Sequence, residues 1–392
     1  MPDRTTAPDV VIIGAGIIGL ATAWELARRG VAVTVVERGT PGQAATWAAG
    51  GMLAPLAEAR RPGPLLELSL AALERYAAFA EAVRDASGID VEYTGGGKLV
   101  VAISEAEEAK LREQCEWQRA SGFAVELMDG DEARRREPAL SLAVRAALFL
   151  PLDCQVENRR LAQALWLATA RAGVEFRLGV GAAGVRTSSA ADAGRRGRGA
   201  RRSPRARVLG VVLADGELIA AERVIVAAGS WSGQLDGLPR DLPVEPVRGQ
   251  MLAVETIPPV LRRVVLTPGC YLIPRAGRVI VGATMERVGF RSYPTPAGVH
   301  SLLDAAVQAV PALAQAPLLE VWAGLRPGTP DDLPILGPDP AADGLFYATG
   351  HFRNGVLLAP VTADILADLV TGETPELELA AFGPERFDEG AA

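Results

Sequence analysis

The spacing of apolar positions along this chain changes several times, and each change marks an element. Val10–Ile13 is an unbroken apolar run, the pattern of a short strand covered on both faces. Three glycines follow at once in Gly14-x-Gly16-x-x-Gly19, and a stretch of Ala, Leu and Trp then reads as a helix up to Gly30. Residues 31–36 form a second apolar run, closed by Glu37. Further on, residues 65–88 carry helical periodicity and residues 91–104 alternate like a strand hairpin. Residues 105–121 read as a charged amphipathic helix, and residues 156–179 as helix then strand. Residues 223–233 predict a buried strand running into Gly229, and residues 244–291 an antiparallel sheet with a turn at Ala276-Gly277. A helix is predicted over 299–310, where His300 is read as a surface residue. Near the end, "GHFRNGVLLAP" (350–360) passes from small and polar residues into an apolar run, which predicts a helix start with unpaired N–H groups.

The first of these patterns carries chemistry. Strand, glycine loop, helix and strand make one βαβ unit. One glycine makes the tight turn, one lets backbone approach a pyrophosphate, and one lets helix and strand pack closely. The helix start offers N–H groups to phosphates. Glu37 stands 18 positions after Gly19 at the end of the second strand. A carboxylate there accepts hydrogen bonds from a ribose diol and repels a 2′-phosphate, which disfavours NADP. The motif alone does not separate FAD from NAD. The stretch "GTPGQAATWAAGGMLAP" (39–55) is built of small residues and suits backbone lying flat on a large planar group, which favours FAD.

Composition narrows the classes. A chain of 392 residues exceeds one compact core and suits two domains. A net charge of −7 argues against nucleic-acid or anionic-membrane partners. The three cysteines (Cys115, Cys154, Cys270) are widely spaced and form no CxxC, which fits a reducing cytoplasm, and two histidines argue against a zinc or haem site. "MPDRTTAP" has no basic-then-apolar form of a signal peptide, and the first apolar run is too short to span a bilayer. Residues 187–207 hold seven arginines and no large apolar residue, which predicts a solvated, disordered insertion between two strands.

In "WAGLRPGTPDDLPILGP" (322–338), Pro327 restricts Arg326 to extended geometry, so a stiff loop is expected to hold the guanidinium. Such an arginine can grip a carboxylate with two parallel hydrogen bonds. It can equally form a structural ion pair with Asp331 or Asp332, and the residues alone leave both readings open.

Taken together, these motifs resemble the D-amino-acid oxidase superfamily of flavoenzymes, and within it the glycine oxidases of thiamine biosynthesis. The likeness rests on "VVIIGAGIIGLATAWEL", "TWAAGGMLAP", "QVENRRL", "AAGSWSG", "PVRGQML", "CYLIPR", "GRVIVGATM", "WAGLRPGTPDDLPILGP" and "ATGHFRNGVLLAP", in that order along nearly the whole chain. It implies an α/β fold. A Rossmann-type FAD-binding domain would come from residues 9–90, 155–238 and 325–375. A second α+β substrate domain on an antiparallel sheet would come from residues 91–154 and 239–324. It implies that Gly14, Gly16, Ile17, Ile18 and Gly19, with Glu37, Arg38, Ala45 and Thr46, hold FAD. Gly50, Gly51 and Met52 would lie along the isoalloxazine, Ala182 near the adenine, and Gly229 near the cofactor. His351, Phe352, Arg353, Asn354, Gly355, Val356 and Leu357 would wrap the pyrimidine end, with the helix start aimed at flavin N1 and C2=O.

In the pocket, Arg326 would bind the substrate carboxylate and Tyr271 add its hydroxyl, while Arg353 and Met285 line the rest. "WAGLR" lacks the cysteine that single-subunit sarcosine oxidases use to attach flavin, so FAD is expected to be non-covalent. "TPGCY" lacks the histidine some glycine oxidases carry there, which leaves substrate size open. The implied reaction is oxidation of glycine, sarcosine or small D-amino acids by hydride transfer to flavin N5. An imino acid, then glyoxylate or another keto acid, ammonia and peroxide would follow. A functional link to thiazole synthase, a homotetramer and a cytoplasmic location come with the resemblance. The alternatives are a D-amino-acid dehydrogenase passing electrons to a quinone or carrier, a flavin-binding protein without turnover, and an NAD dehydrogenase.

Overall fold

The computed structural model describes residues 8–59, 61–188 and 205–388. A six-stranded sheet runs in the order Ile335–Pro338, Leu345–Thr349, Arg223–Val226, Val10–Ile13, Val33–Glu37, Glu175–Leu178. All neighbours are parallel except the edge strand Ile335–Pro338. Val10–Ile13 lies inside the sheet and is buried on both faces, which is why its apolar run is unbroken. Val10 and Ile12 face the helices Ile17–Arg28, Pro64–Ser87, Asn158–Arg171 and Gly355–Thr371. Val11 and Ile13 face a small sheet that includes Ala182–Thr187, Ala206–Leu213 and Leu218–Ala220.

The arginine-rich segment falls largely on residues 189–204, outside the described residues. Its ends are strand: Thr187 closes one member of the small sheet, and Ala206 and Arg207 open its antiparallel partner.

An eight-stranded sheet is built of Leu318–Gly328, Glu245–Glu255, Arg278–Gly282, Tyr271–Arg275, Val264–Leu266, Lys98–Ala102, Ala146–Leu150 and Glu126–Asp129, in that order. It is antiparallel apart from the Lys98–Ala102 and Val264–Leu266 pair. Alternation splits its faces. Leu252, Leu272, Val279 and Val281 pack on the helix Pro296–Ala309 through Leu302 and Ala306. Met251, Ala253, Ile273, Ile280 and Trp322 turn the other way, toward Ala48. The turn expected at Ala276-Gly277 is present, with Gly277 at φ 73°.

Two sequence expectations fail here. Residues 91–104 are no hairpin. Thr94 bridges Gln155, Gly96 and Gly97 take positive φ of 103° and 72° and break the run, and only then does the strand begin. Arg326 stands in a strand and not in a stiff loop, its Cα opposite Val247. That strand is the sheet's edge, where proline is tolerated because the missing N–H faces no neighbour. A domain boundary at residue 325 would cut the strand; one after Gly328 keeps it whole.

The sheets are stitched together at this edge. The Ser230 hydroxyl donates to Leu325 O (3.0 Å), and the Phe352 N–H donates to Pro327 O (3.0 Å). A second seam is the small-residue stretch 45–53, where the buried Asn158 side chain donates to Thr46 O (2.7 Å) and Trp47 O (3.2 Å). Asn158→Leu removes both bonds and leaves Thr46 O with only the long Ala49 N–H contact (3.4 Å) and Trp47 O with only Arg159 Nε (3.3 Å). We expect a loss of about 2–4 kcal/mol in chemical denaturation; a variant as stable as wild type would show that this seam carries no weight.

Candidate active site and cofactor cleft

Between the sheets lies a cavity of about 440 Å³. Its first wall is bare main chain. A Cβ on Gly14, at φ 106°, would lie 2.5 Å from Ala227 O. A Cβ on Gly19 would lie 1.9 Å from Gly14 O, so Gly19 serves the packing of helix on loop and does not line the cavity. Gly16 caps the helix Ile17–Arg28 without any side-chain cap, and the Thr46 hydroxyl accepts from Ile17 N–H (2.9 Å). The Glu37 carboxylate accepts from Ala15 N–H (2.8 Å) and Gly39 N–H (2.9 Å), which fixes it at the mouth of the glycine loop. The Arg38 guanidinium lies 3.6 Å from the Trp231 ring centroid, and both residues line the cavity with Ile18, Ala182 and Gly229. A phosphate-sized approach to backbone, a helix start and a diol-binding carboxylate fit the adenosine and pyrophosphate of FAD.

The second wall is the small-residue stretch, with Ala45, Gly50, Gly51 and Met52 on the cavity. Charged groups from a helix and from distant strands grip it. The Arg275 guanidinium donates to Gly50 O (3.0 Å), Val156 O (2.7 Å) and Gln155 Oε1 (2.6 Å), and burial lowers its pKa to about 10. Arg159 pairs with both oxygens of Glu320 at 3.0 Å and stacks 3.6 Å from the Trp47 ring centroid. The Trp322 indole donates to Ala48 O (3.1 Å).

The far end holds the candidate substrate groups. Arg326 and Tyr271 both line it. Arg326 Nη1 donates to Thr284 O (3.1 Å), and its guanidinium fills the place of a side chain at Gly249, 2.2 Å from where a Cβ would sit. Among the described residues no carboxylate pairs with it: Asp331 is taken by Arg386 at 2.8 Å. Burial holds the Tyr271 phenol above its ordinary pKa against the pull of Arg326 and Arg353, so it stays protonated and able to donate. Arg353 reaches the same wall but is paired with Glu58 at 2.8 Å, which offsets its charge.

Met285 does not join them. Thr284 and Glu286 on either side turn inward to Gln250, and Met285 is 60% exposed and off the cavity lining.

The helix Gly355–Thr371 begins here as expected. Asn354 is its N-cap, with no side-chain cap bond and no acid in the first turn. His351, Phe352, Gly355 and Val356 line the cavity, while Asn354 and Leu357 lie behind its surface, Leu357 in the apolar core. A helix start with free N–H groups suits the electron-rich edge of a reduced flavin.

Sequence reasoning gave no role to Arg275, Gly249, Glu58 or Trp231. Gly249 and Arg275 sat inside quoted motifs; nothing local signals Glu58, which lies 295 positions from its partner. Among the described residues no cluster of three His, Cys, Asp or Glu could hold a metal ion, and no helix is long and apolar enough to cross a membrane.

Fold and cavity define a flavin-binding oxidoreductase. Residues 9–369 match the DAO family of FAD dependent oxidoreductases, and the chain belongs to that family. It is 36% identical to a glycine oxidase of Pseudomonas aeruginosa, over 96% of this chain and 98% of that one. The crystal structure of glycine oxidase from Geobacillus kaustophilus superposes with a TM-score of 0.89 at 35% identity, covering 97% of this chain and 99% of that one. A bifunctional protein ThiO/ThiG of Synechocystis is 38% identical over 97% of this chain; the chain spans about half of that relative, 54%. The expectation of an FAD-dependent amino-acid oxidase therefore stands.

His351 sets a testable pH response. It is buried, Nε2 lies 3.1 Å from Thr362 Oγ1, and burial lowers its pKa from 6.5 to about 3. Between those values the unfolded chain binds the extra proton, so stability falls as pH drops through 6.5 toward 3. Relative to His351→Gln, wild type should lose on the order of 3 kcal/mol between pH 6.5 and about pH 4 in urea melts. Parallel pH profiles for the two proteins would refute a neutral buried imidazole.

Proposed function

We propose that the protein oxidises glycine and other small amino acids or amines, such as sarcosine and small D-amino acids, to imino acids. The observation that carries this is Arg326, a cation without an acidic partner among the described residues, held beside the Tyr271 hydroxyl at the end of the flavin cleft. Its guanidinium and the phenol take the substrate carboxylate, and that two-point hold turns Cα–H toward the ring. Bound FAD would supply the two-electron acceptor for hydride, at N5, with dioxygen as the final acceptor and peroxide as its product.

Proton transfer needs little from the chain. Glu58, the carboxylate at this end, is tied to Arg353, and His351 is neutral and bonded to Thr362. Neither is free to act as a base, which favours hydride transfer from a neutral amine over carbanion formation. Released imine hydrolyses to glyoxylate or another keto acid and ammonia. The bifunctional relative supports a link to thiazole assembly, where the imine is used directly with a thiazole synthase as functional partner. None of the three cysteines lines the cavity, which supports non-covalent FAD. A homo-oligomer in the cytoplasm completes the reading, on family resemblance.

Arg326→Ala should raise KM for glycine roughly 100-fold, the worth of a paired charge-assisted contact, with flavin content unchanged. Gly249→Ala, which pushes a methyl into the guanidinium, should raise KM in the same direction by roughly tenfold. Peroxide formation with glycine, sarcosine and D-alanine reads both. An unchanged KM in Arg326→Ala would remove the carboxylate anchor, and dye reduction without oxygen uptake would turn the reading to a dehydrogenase.

A further inference from the structure

A second, smaller cavity of about 100 Å³ is lined by Gly96, Gly97, Lys98, Asp153, Arg262 and Arg263 among others. It adjoins the cleft through one turn: Leu56 and Ala57 donate N–H bonds to Asp153, and the next residue, Glu58, lines the cleft. Its volume is about that of three waters.

Lys98 is the unusual group. It is 1% exposed, and its ammonium has no hydrogen-bond partner among the described residues. A buried ammonium without an acceptor is expensive. Burial lowers its pKa to about 8 and raises that of Asp153 to about 6. Asp153 and Glu58 relieve it only through space: the Asp153 oxygens accept from Leu56 and Ala57 N–H, and among the described residues no ion pair with Lys98 forms. The Arg263 Nε is also without a hydrogen bond, and the carboxylate nearest to it, on Glu137, is 4.0 Å away and occupied by the Arg262 N–H. Arg262 stands exposed at the rim.

Three cations thus meet two buried carboxylates, Asp153 and Glu137, that already accept backbone N–H bonds, and among the described residues the Lys98 ammonium is left without a direct acceptor. The backbone beside them is bare by necessity. Gly96 and Gly97 take positive φ, and a Cβ on Gly97 would strike the Phe149 ring at 2.5 Å. Glycine backbone beside lysine and arginine is the chemistry that cradles phosphate.

We propose that this cavity binds a single tetrahedral oxyanion of the phosphate class, with Lys98 as its buried counter-charge and Arg262 and Arg263 as its outer grip. The occupant is a free inorganic ion or the terminal phosphate of a small ester; both present the same group to the same cations.

The test uses flavin-loaded protein freed of phosphate and titrated calorimetrically with inorganic phosphate, against sodium chloride at matched ionic strength. Saturable binding is expected in wild type. Lys98→Met keeps the apolar stem and removes the charge; it should abolish binding while leaving thermal stability equal or higher. Arg262→Gln changes an exposed residue and should weaken binding roughly tenfold, so the question is decided even if Lys98→Met fails to fold. A parallel titration with glycerol 3-phosphate separates the sources: binding as tight as phosphate supports an ester, exclusion supports the free ion. No saturable heat beyond chloride, or variants that bind as wild type does, would overturn the proposal.

Discussion

The centre of this molecule depends on main chain lying bare between two sheets. At Gly14 and Gly51 a single added carbon would collide with backbone, and at Gly50 with the Ile273 side chain. No side chain can be placed there without moving the scaffold, so these surfaces remain available to a large planar ligand and its pyrophosphate. Bare backbone has no packing of its own to hold it flat. That task falls to groups from elsewhere: Asn158 and Trp322 bond the carbonyls of residues 46–48, and Arg275 bonds the carbonyl of Gly50. Burying the Arg275 cation is costly, and three oxygen acceptors offset that cost.

The same logic sets the electrostatics of the far end. Two arginines enter it, but one is matched by Glu58, so among the described residues Arg326 is left without a matching carboxylate. Tyr271 beside it keeps its proton, and the histidine beneath the helix start is neutral. On the proposed reading the pocket holds an anion and orients it, while offering little to a proton in transit.

Local features of the sequence translated directly into structure. The glycine loop, the Ala276-Gly277 turn and the helix start at Asn354 each depend on neighbours a few positions away, and the Glu37 carboxylate reaches back only 22 positions, to Ala15. What failed was partner choice. Period-two alternation says that residues 98–102 form a strand; it does not say that the strand lies between Ala146–Leu150 and Val264–Leu266. The Arg-Pro pair correctly signals extended backbone at Arg326, yet whether that backbone is loop or sheet edge depends on Glu245–Glu255, where its partner Val247 stands about eighty positions earlier. Met285 was placed by resemblance, and its exposure follows from how Thr284 and Glu286 turn. Glu58 could not be found from sequence, because its partner is remote and the segment between them spans both sheets.

The edge strand that carries Arg326 has one more implication. Its outward carbonyls at Leu325 and Pro327 are taken by Ser230 and by the backbone of Phe352, which belong to the flavin side. Under the role proposed for Arg326, the reach from cation to cofactor is thus gauged by one main-chain bond and by the Ser230 hydroxyl. A substitution at the mouth of the cleft would then alter its width while leaving that span in place.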